Sequence, residues 1–277
     1  MVSIGVDIGG TKISAGLVDD GIVKKNSIIP TPATSLEAAV MMAVILAVRD
    51  VWSDEAIGIG VGVPGLVDIE NGIVYDVHNI PSFKNVRMKE QLETVFSIPV
   101  HVSNDANCFV AGVKHFGEGK PFKNLVGLTL GTGLGGGLII NGKLYEGVGS
   151  GAGEFGYVPF RDGILEHYCS GQYFDRFYQM DGQRLFEKAR SGDQNALRIY
   201  GEYGKNLGEA IKIVANVFAP EAVILGGSIS KSFLYFEKSM WETIFNFPYA
   251  NVVEKLVVLP AKNPNIAVVG AAALVLG

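Results

Sequence analysis

The chain has little that would fit a secreted scaffold, a membrane span or a polyanion partner. Only two cysteines, Cys108 and Cys169, occur in 277 residues. That is too few for a disulfide framework, and a reducing cytoplasm is the expected setting. Basic side chains are outnumbered, with 23 Lys and Arg against 28 Asp and Glu and a net charge of -5, so nucleic acid is not an expected partner. The longest uninterrupted apolar run, Ala38 to Val48, is eleven residues, too short to span a bilayer. Asp7 and Lys12 fall where the apolar stretch of a signal peptide would lie, so none is expected. Of the four histidines only His167-x-Cys169 hints at a metal pair. It lacks the further ligands that zinc needs, and both residues read as structural.

Glycine is abundant, with 36 residues gathered in turns. One pattern occurs twice: Gly5-Val-Asp7-Ile-Gly9-Gly10-Thr11-Lys12, and Gly127-Leu-Thr129-Leu-Gly131-Thr132-Gly133-Leu134-Gly135-Gly136-Gly137. A shift of 122 residues aligns Gly5 with Gly127, Asp7 with Thr129 and Gly9 with Gly131. Each copy is an apolar run, a Gly/Thr turn, a second apolar run and then a polar hairpin turn (Asp20-Gly21 or Asn141-Gly142). A fold of two similar halves is implied. Two such turns can surround a polyphosphate with backbone N–H groups, glycine permitting close approach and φ > 0. Gly131-x-Gly133-x-x-Gly136 and Gly60-x-Gly62-x-x-Gly65 mimic a dinucleotide fingerprint, but hairpin-like segments follow where that motif demands a helix. No glycine-rich run ends in Gly-Lys-Ser/Thr either, so phosphates are expected on β-turns rather than a P-loop.

In chain order, residues 2–29 read as three antiparallel strands. Thr34-Ser-Leu-Glu37 is a capping-box pattern ahead of a buried helix. Residues 56–63 read as a buried strand ending in Gly62-Val-Pro64-Gly65, residues 88–96 as a helix, and 100–102 as a strand. That strand delivers Asn104 and Asp105 at a junction with a helix over 106–116, where ligands collect in open α/β sheets. Either residue serves equally well there as a helix N-cap. Beyond the second repeat, helices are expected over 172–190, 194–201, 203–218 and 266–276, with a strand from 222 that runs into the Gly226–Ser228 turn and another helix, and a final strand over 252–259.

Taken together, Asp7-Ile-Gly-Gly-Thr-Lys12, Gly62-Val-Pro-Gly65, Asn104-Asp-Ala-Asn107, Gly131-Thr-Gly-Leu-Gly-Gly-Gly137, Gly153-Glu154-x-Gly156 and Leu225-Gly-Gly-Ser228 closely resemble the ROK family (repressor, open reading frame, kinase). The six segments stand in family order over nearly the whole chain. The resemblance implies an α/β, actin/hexokinase-like (ribonuclease H-like) duplicated fold with two domains around a cleft, expected as residues 1–105 plus 265–277 and residues 106–264. It implies a cytoplasmic homodimer, and phosphoryl transfer from ATP to a hexose hydroxyl, glucose being the default and N-acetylmannosamine or N-acetylglucosamine the alternatives. Polyphosphate is a second possible donor.

By the same resemblance, Gly9, Gly10, Thr11 and Lys12 meet the γ-phosphate, and Asp7 holds Mg²⁺ through water. Gly131, Thr132 and Gly133 take the β-phosphate side, and Gly226 and Gly227 lie beside the adenosine. Asn104, Asp105, Glu154 and Glu166 bind sugar hydroxyls with Gly65 and Asn79 along the rim, and Asp105 is the general base. The chain departs from the family pattern where a histidine and a cysteine-bearing zinc loop are usual. Tyr157 stands for the histidine, and Gly163-Ile164-Leu165-Glu166 follows after five residues. A zinc-free loop is therefore expected, with the Tyr157 hydroxyl on the sugar. A sugar-responsive regulator and a non-catalytic sugar-binding protein are the competing readings. The first repeat lies so near the start of this acidic chain that a DNA-binding segment is not expected.

Overall fold

The computed structural model describes residues 1–276. In β1 (Val2–Ile8) the alternate residues Ile4, Val6 and Ile8 are buried, as a strand covered on that face requires. β1 pairs antiparallel with β2 (Lys12–Asp19), which pairs antiparallel with β3 (Ile22–Pro30). After α1 (Glu37–Val51) come β4 (Ile59–Val63), the hairpin strands β5 (Leu66–Asp68) and β6 (Ile73–Tyr75), and β7 (Asn85–Arg87). α2 (Met88–Phe96), β8 (Val100–Asn104) and α3 (Asp105–Phe116) follow. β4 lies parallel to both β1 and β8, so the sheet runs β3-β2-β1-β4-β8.

The second repeat builds β9 (Leu125–Leu130), β10 (Leu134–Ile140) and β11 (Lys143–Tyr145). Two short strands, β12 (Pro159–Phe160) and β13 (Gly163–Ile164), lead to α4 (Leu165–Cys169), α5 (Gln172–Tyr178), α6 (Gly182–Arg190) and α7 (Gln194–Phe218). The rest of the described chain holds β14 (Ala222–Gly226), α8 (Phe233–Ile244), α9 (Ala250–Val253), β15 (Val257–Pro260) and α10 (Ile266–Ala273). The second sheet runs β11-β10-β9-β14-β15, the same plan as the first. Register confirms the duplication: Asp7 pairs with Gly62 across β1 and β4, and its repeat partner Thr129 pairs with Gly226 across β9 and β14.

Packing divides the chain into two units. The first holds Met1–Pro121, Gly137–Ala152 and the residues from Lys262 on; the second holds Phe122–Gly136 and Gly153–Ala261. The boundary expected after residue 105 therefore needs correction, because α3 packs within the first unit. Its Gly112 lies against Gly270 of α10, where an added Cβ would come within 2.8 Å of the Gly270 Cα.

One face of the first sheet is paved with glycine. A Cβ on Gly5 would stand 1.9 Å from the Val268 carbonyl oxygen, and one on Gly60 would stand 1.8 Å from that of Ala271. The Ala-rich α10 thus lies with its backbone directly on β1 and β4. On the opposite face Ile4, Val6, Ile8, Ile13, Ile59 and Val61 form one core with Val40, Val44 and Val48 of α1.

Several local expectations give way to tertiary contacts. α1 begins at Glu37 with Leu36 as N-cap and no side-chain cap, because Glu37 accepts a hydrogen bond from Gln91 of α2 at 3.1 Å rather than folding back on the turn. The helix expected over 172–190 breaks at Gln179, whose φ is +49°. The break expected near Gly201 is absent, since α7 continues to Phe218 with Gly204 and Gly208 taking the Phe236 and Met240 backbone of α8. Residues 250–253 are helical, and the last strand is confined to 257–260. Among the described residues no helix is long and apolar enough to cross a membrane.

Candidate active site

Residues expected to bind ligand fall into one group per unit. In the first unit, the turn after β1 is closed by a Gly9 N–H to Lys12 carbonyl bond of 2.9 Å. Gly10 is fixed by crowding, since a Cβ there would lie 2.7 Å from the Asn79 Cβ, which sets Asn79 directly against the turn. Thr11 and Lys12 are exposed. Neither turn uses positive φ at Gly9, Gly10, Gly131 or Gly133. A side chain would be crowded at Gly10, by Asn79, and at Gly133, by Glu166, whereas Gly131 faces open space.

Asp7 and Asp105 flank Gly62. Asp7 is its register partner, and a Cβ on Gly62 would lie 3.7 Å from the Asp105 Cα and 2.9 Å from the Cys108 Sγ. Burial and then the Asp105, Asp7 and Glu146 carboxylates push the Cys108 thiol far up, so this cysteine is chemically inert. Burial raises Asp7, with Lys12 working in the opposite direction. Asp105 is exposed at the head of α3, its Oδ1 accepting the Ala106 N–H at 2.8 Å. Asn104 caps the same N–H at 2.8 Å and donates Nδ2 to the Gly65 carbonyl at 3.0 Å. It therefore ties the Gly65 turn, where φ is +127°, to the strand end that carries Asp105.

In the second unit a cavity of about 670 Å³ opens at Gly131 and Thr132. That volume suits a ligand of nucleoside size. A Cβ on Gly131 would meet nothing within 4 Å, so the turn presents bare backbone to this space. Met180, Phe186 and Ile229 supply apolar wall; Asp175, Asp181, Gln183, Ser228 and Ser232 supply polar edge; Lys231 is its one basic side chain. The α5–α6 residues here lie far from any glycine motif and escape sequence reading; the helix break at Gln179 brings them to the cavity. Ser228, Ile229, Lys231 and Ser232 form the wall near β14. Gly227, with φ +80°, lies on the Leu130 backbone.

Replacing Gly131 with alanine should leave the melting temperature within about 1 °C, because the added methyl meets no protein atom. If the turn takes the β-phosphate side, as the resemblance implies, the methyl should raise the KM for ATP at least tenfold, or about 1.4 kcal/mol. Parallel melting and initial-rate measurements check this. A large drop in melting temperature would show the turn to be structural only.

Glu154, exposed, and Glu166, half-buried, both belong to this unit, near enough for their charges to interact. Burial and then the Glu166 charge raise the Glu154 carboxyl above its ordinary value. A carboxyl with a raised folded pKa stabilises the fold at acid pH, and that contribution is lost as pH climbs from the unfolded value, about 4.3, through the raised one. Glu154→Gln should therefore melt higher than wild type at pH 7 and show no such gain at pH 4. Equal differences at both pH values would contradict the assignment. Tyr157 is 71% exposed.

Around the loop where this chain departs from the family's zinc pattern, the following contacts are made. Tyr168 donates to Asp162, Arg161 lies over the Phe160 and Tyr168 rings, and Arg176 meets His167 Nδ1 at 3.0 Å. Burial pushes the Cys169 thiol up.

A family model described as the ROK family matches residues 3–277. The chain belongs to the ROK family. It is 35% identical over 263 residues to a glucokinase of Thermotoga maritima, with 83% of this chain and 82% of the relative covered. It is 29% identical over 257 residues to an N-acetyl-D-glucosamine kinase of Pectobacterium atrosepticum, covering 82% and 83%. Among solved structures, a ROK glucokinase from Streptomyces griseus in complex with glucose and AMPPNP superimposes with a TM-score of 0.85 at 29% identity, over 99% of both chains. The duplicated actin/hexokinase-like α/β fold is thus the fold of this chain.

Proposed function

We propose that the chain is an ATP-dependent sugar kinase that transfers the γ-phosphate to a hexose hydroxyl, the 6-OH of glucose or of a related hexose. The observation that carries this is the nucleoside-sized cavity opening on the bare backbone of Gly131, in a chain whose other glycine turn follows Asp7. Apolar walls and a single lysine suit a nucleoside better than a chain of phosphates, which favours ATP over polyphosphate. Relatives that phosphorylate glucose and N-acetylglucosamine support the reaction class.

In this reading Gly9 to Lys12 and Gly131 to Gly133 hold phosphate oxygens with backbone N–H groups and the Lys12 ammonium. Asp7 suits Mg²⁺, which favours oxygen ligands and keeps several waters; when bound it neutralises phosphate charge. Asp105 accepts the proton of the attacking hydroxyl, Asn104 fixes the strand end that presents it, and Glu154, Glu166 and Tyr157 accept or donate to the sugar. Gly65 and Asn79 border the acceptor. The Tyr168–Asp162 and Arg161 contacts hold the Glu166 loop without zinc, and stoichiometric zinc in the purified protein would refute that.

A coupled ADP-release assay with Mg-ATP against glucose, mannose, fructose, allose, N-acetylglucosamine and N-acetylmannosamine tests the proposal. Turnover of one sugar is expected. Silence across the panel would favour a sugar-responsive regulator or a non-catalytic binder. The 29% identity to an N-acetylglucosamine kinase favours that sugar as the second candidate.

A further inference from the structure

Glu166 stands in the first turn of α4, and its carboxylate is engaged within the second unit at both oxygens. Oε2 accepts the Leu134 N–H at 3.0 Å, and Oε1 accepts Gln172 Nε2 at 2.8 Å. Leu134 leaves the glycine turn, and Gln172, the first residue of α5, lines the 670 Å³ cavity. Two more bonds fasten the same piece of chain. Gly171 N–H donates to the Gly131 carbonyl at 2.7 Å, and Ser170 Oγ donates to the Glu166 carbonyl at 2.7 Å. A Cβ on Gly133 would lie 2.6 Å from Glu166 Oε2, so a side chain there would require the carboxylate to shift.

An ionised carboxylate has about four acceptor positions, so after two internal bonds Glu166 keeps room for hydroxyl donors. Glu154 and Glu166 are both acceptor-only when ionised and cannot satisfy each other. Vicinal hydroxyls can donate to both and relieve their repulsion. A ligand gathered there therefore acts on a carboxylate already joined to the phosphate turn and to the wall of the nucleotide cavity.

Resting on the kinase reading, we propose that Gln172 is the positioning residue that couples the two substrates. Sugar hydroxyls on Glu166 fix its carboxylate, Gln172 and the Leu134 N–H carry that order to the nucleotide cavity, and bound sugar tightens nucleotide binding. Linkage makes the effect reciprocal, so nucleotide tightens sugar binding by the same factor. Gln172 suits the role because one side chain is both cavity wall and carboxylate donor.

Calorimetric titration of Mg-AMPPNP, without sugar and with saturating glucose or whichever panel sugar turns over, tests this. Wild type should bind AMPPNP about fivefold or more tightly with sugar present. In Gln172→Leu that ratio should fall to within about twofold of unity, while sugar affinity measured alone stays within about threefold. Gln172→Arg, which keeps a donor for Glu166, should retain the coupling, and melting curves establish that each variant is folded. A wild-type ratio of one, or an undiminished ratio in Gln172→Leu, would overturn the proposal while leaving the kinase reading standing. Failure of wild type to bind either the sugars or AMPPNP would remove the kinase reading and this proposal with it.

Discussion

Asp105→Asn is expected to lower kcat by about 10²- to 10⁴-fold, or roughly 3–5 kcal/mol of barrier, with little change in sugar affinity. The amide keeps the size of the side chain and its acceptor for the Ala106 N–H, a bond of 2.8 Å in the wild type. What it loses is the ability to take a proton from the attacking hydroxyl. The head of α3 should hold its place, because Asn104 caps the same N–H and anchors the Gly65 carbonyl. Single-turnover rates and sugar titration of the variant separate the two effects. Wild-type turnover would remove Asp105 from the role, and loss of sugar binding without loss of kcat would make it a binding residue only.

Gly270→Ala is expected to be among the most damaging single methyls in the first unit. The new Cβ would lie 1.9 Å from the Cys108 carbonyl oxygen, a backbone atom that cannot step aside without moving α3. Overpacking of this kind costs about 3 kcal/mol or more, which for a chain of this size lowers the melting temperature by about 5–10 °C. Because Cys108 lies in the first turn of the helix that begins at Asp105, kcat should fall as well. Gly60→Ala, pressing on the Ala271 carbonyl, should match the loss of stability. Unchanged melting in both variants would mean that α10 does not rest on β1 and β4 as described.

The duplication was legible in the sequence because each half repeats the same turn chemistry at fixed spacing, and turns with glycine, aspartate and threonine constrain the chain locally. Asp105 was legible for a related reason: a short strand followed by small helical residues marks the junction at which it stands. The glycine pavement was not legible, since nothing local distinguishes Gly60 under a helix backbone from a glycine in a loop. Nor was the placement of α3, which depends on Gly112 meeting Gly270 across more than 150 residues. The break at Gln179 and the continuity of α7 through Gly201 were likewise decided by packing. A glycine inside a helix costs only about 1 kcal/mol, less than the docking of α7 on α8 returns. The cavity wall from α5 and α6 escaped notice because its residue types are ordinary and only their convergence is informative.

The position of α10 bears on how the protein can be made. β1 and β4 are synthesised early, yet the element that covers their glycine face is Ile266–Ala273, which the ribosome adds some two hundred residues after β4. The first unit therefore cannot complete its packing until α10 has been synthesised. For most of that interval a stripe of bare sheet backbone waits for a helix that does not yet exist, and the second unit can finish folding before the first one closes.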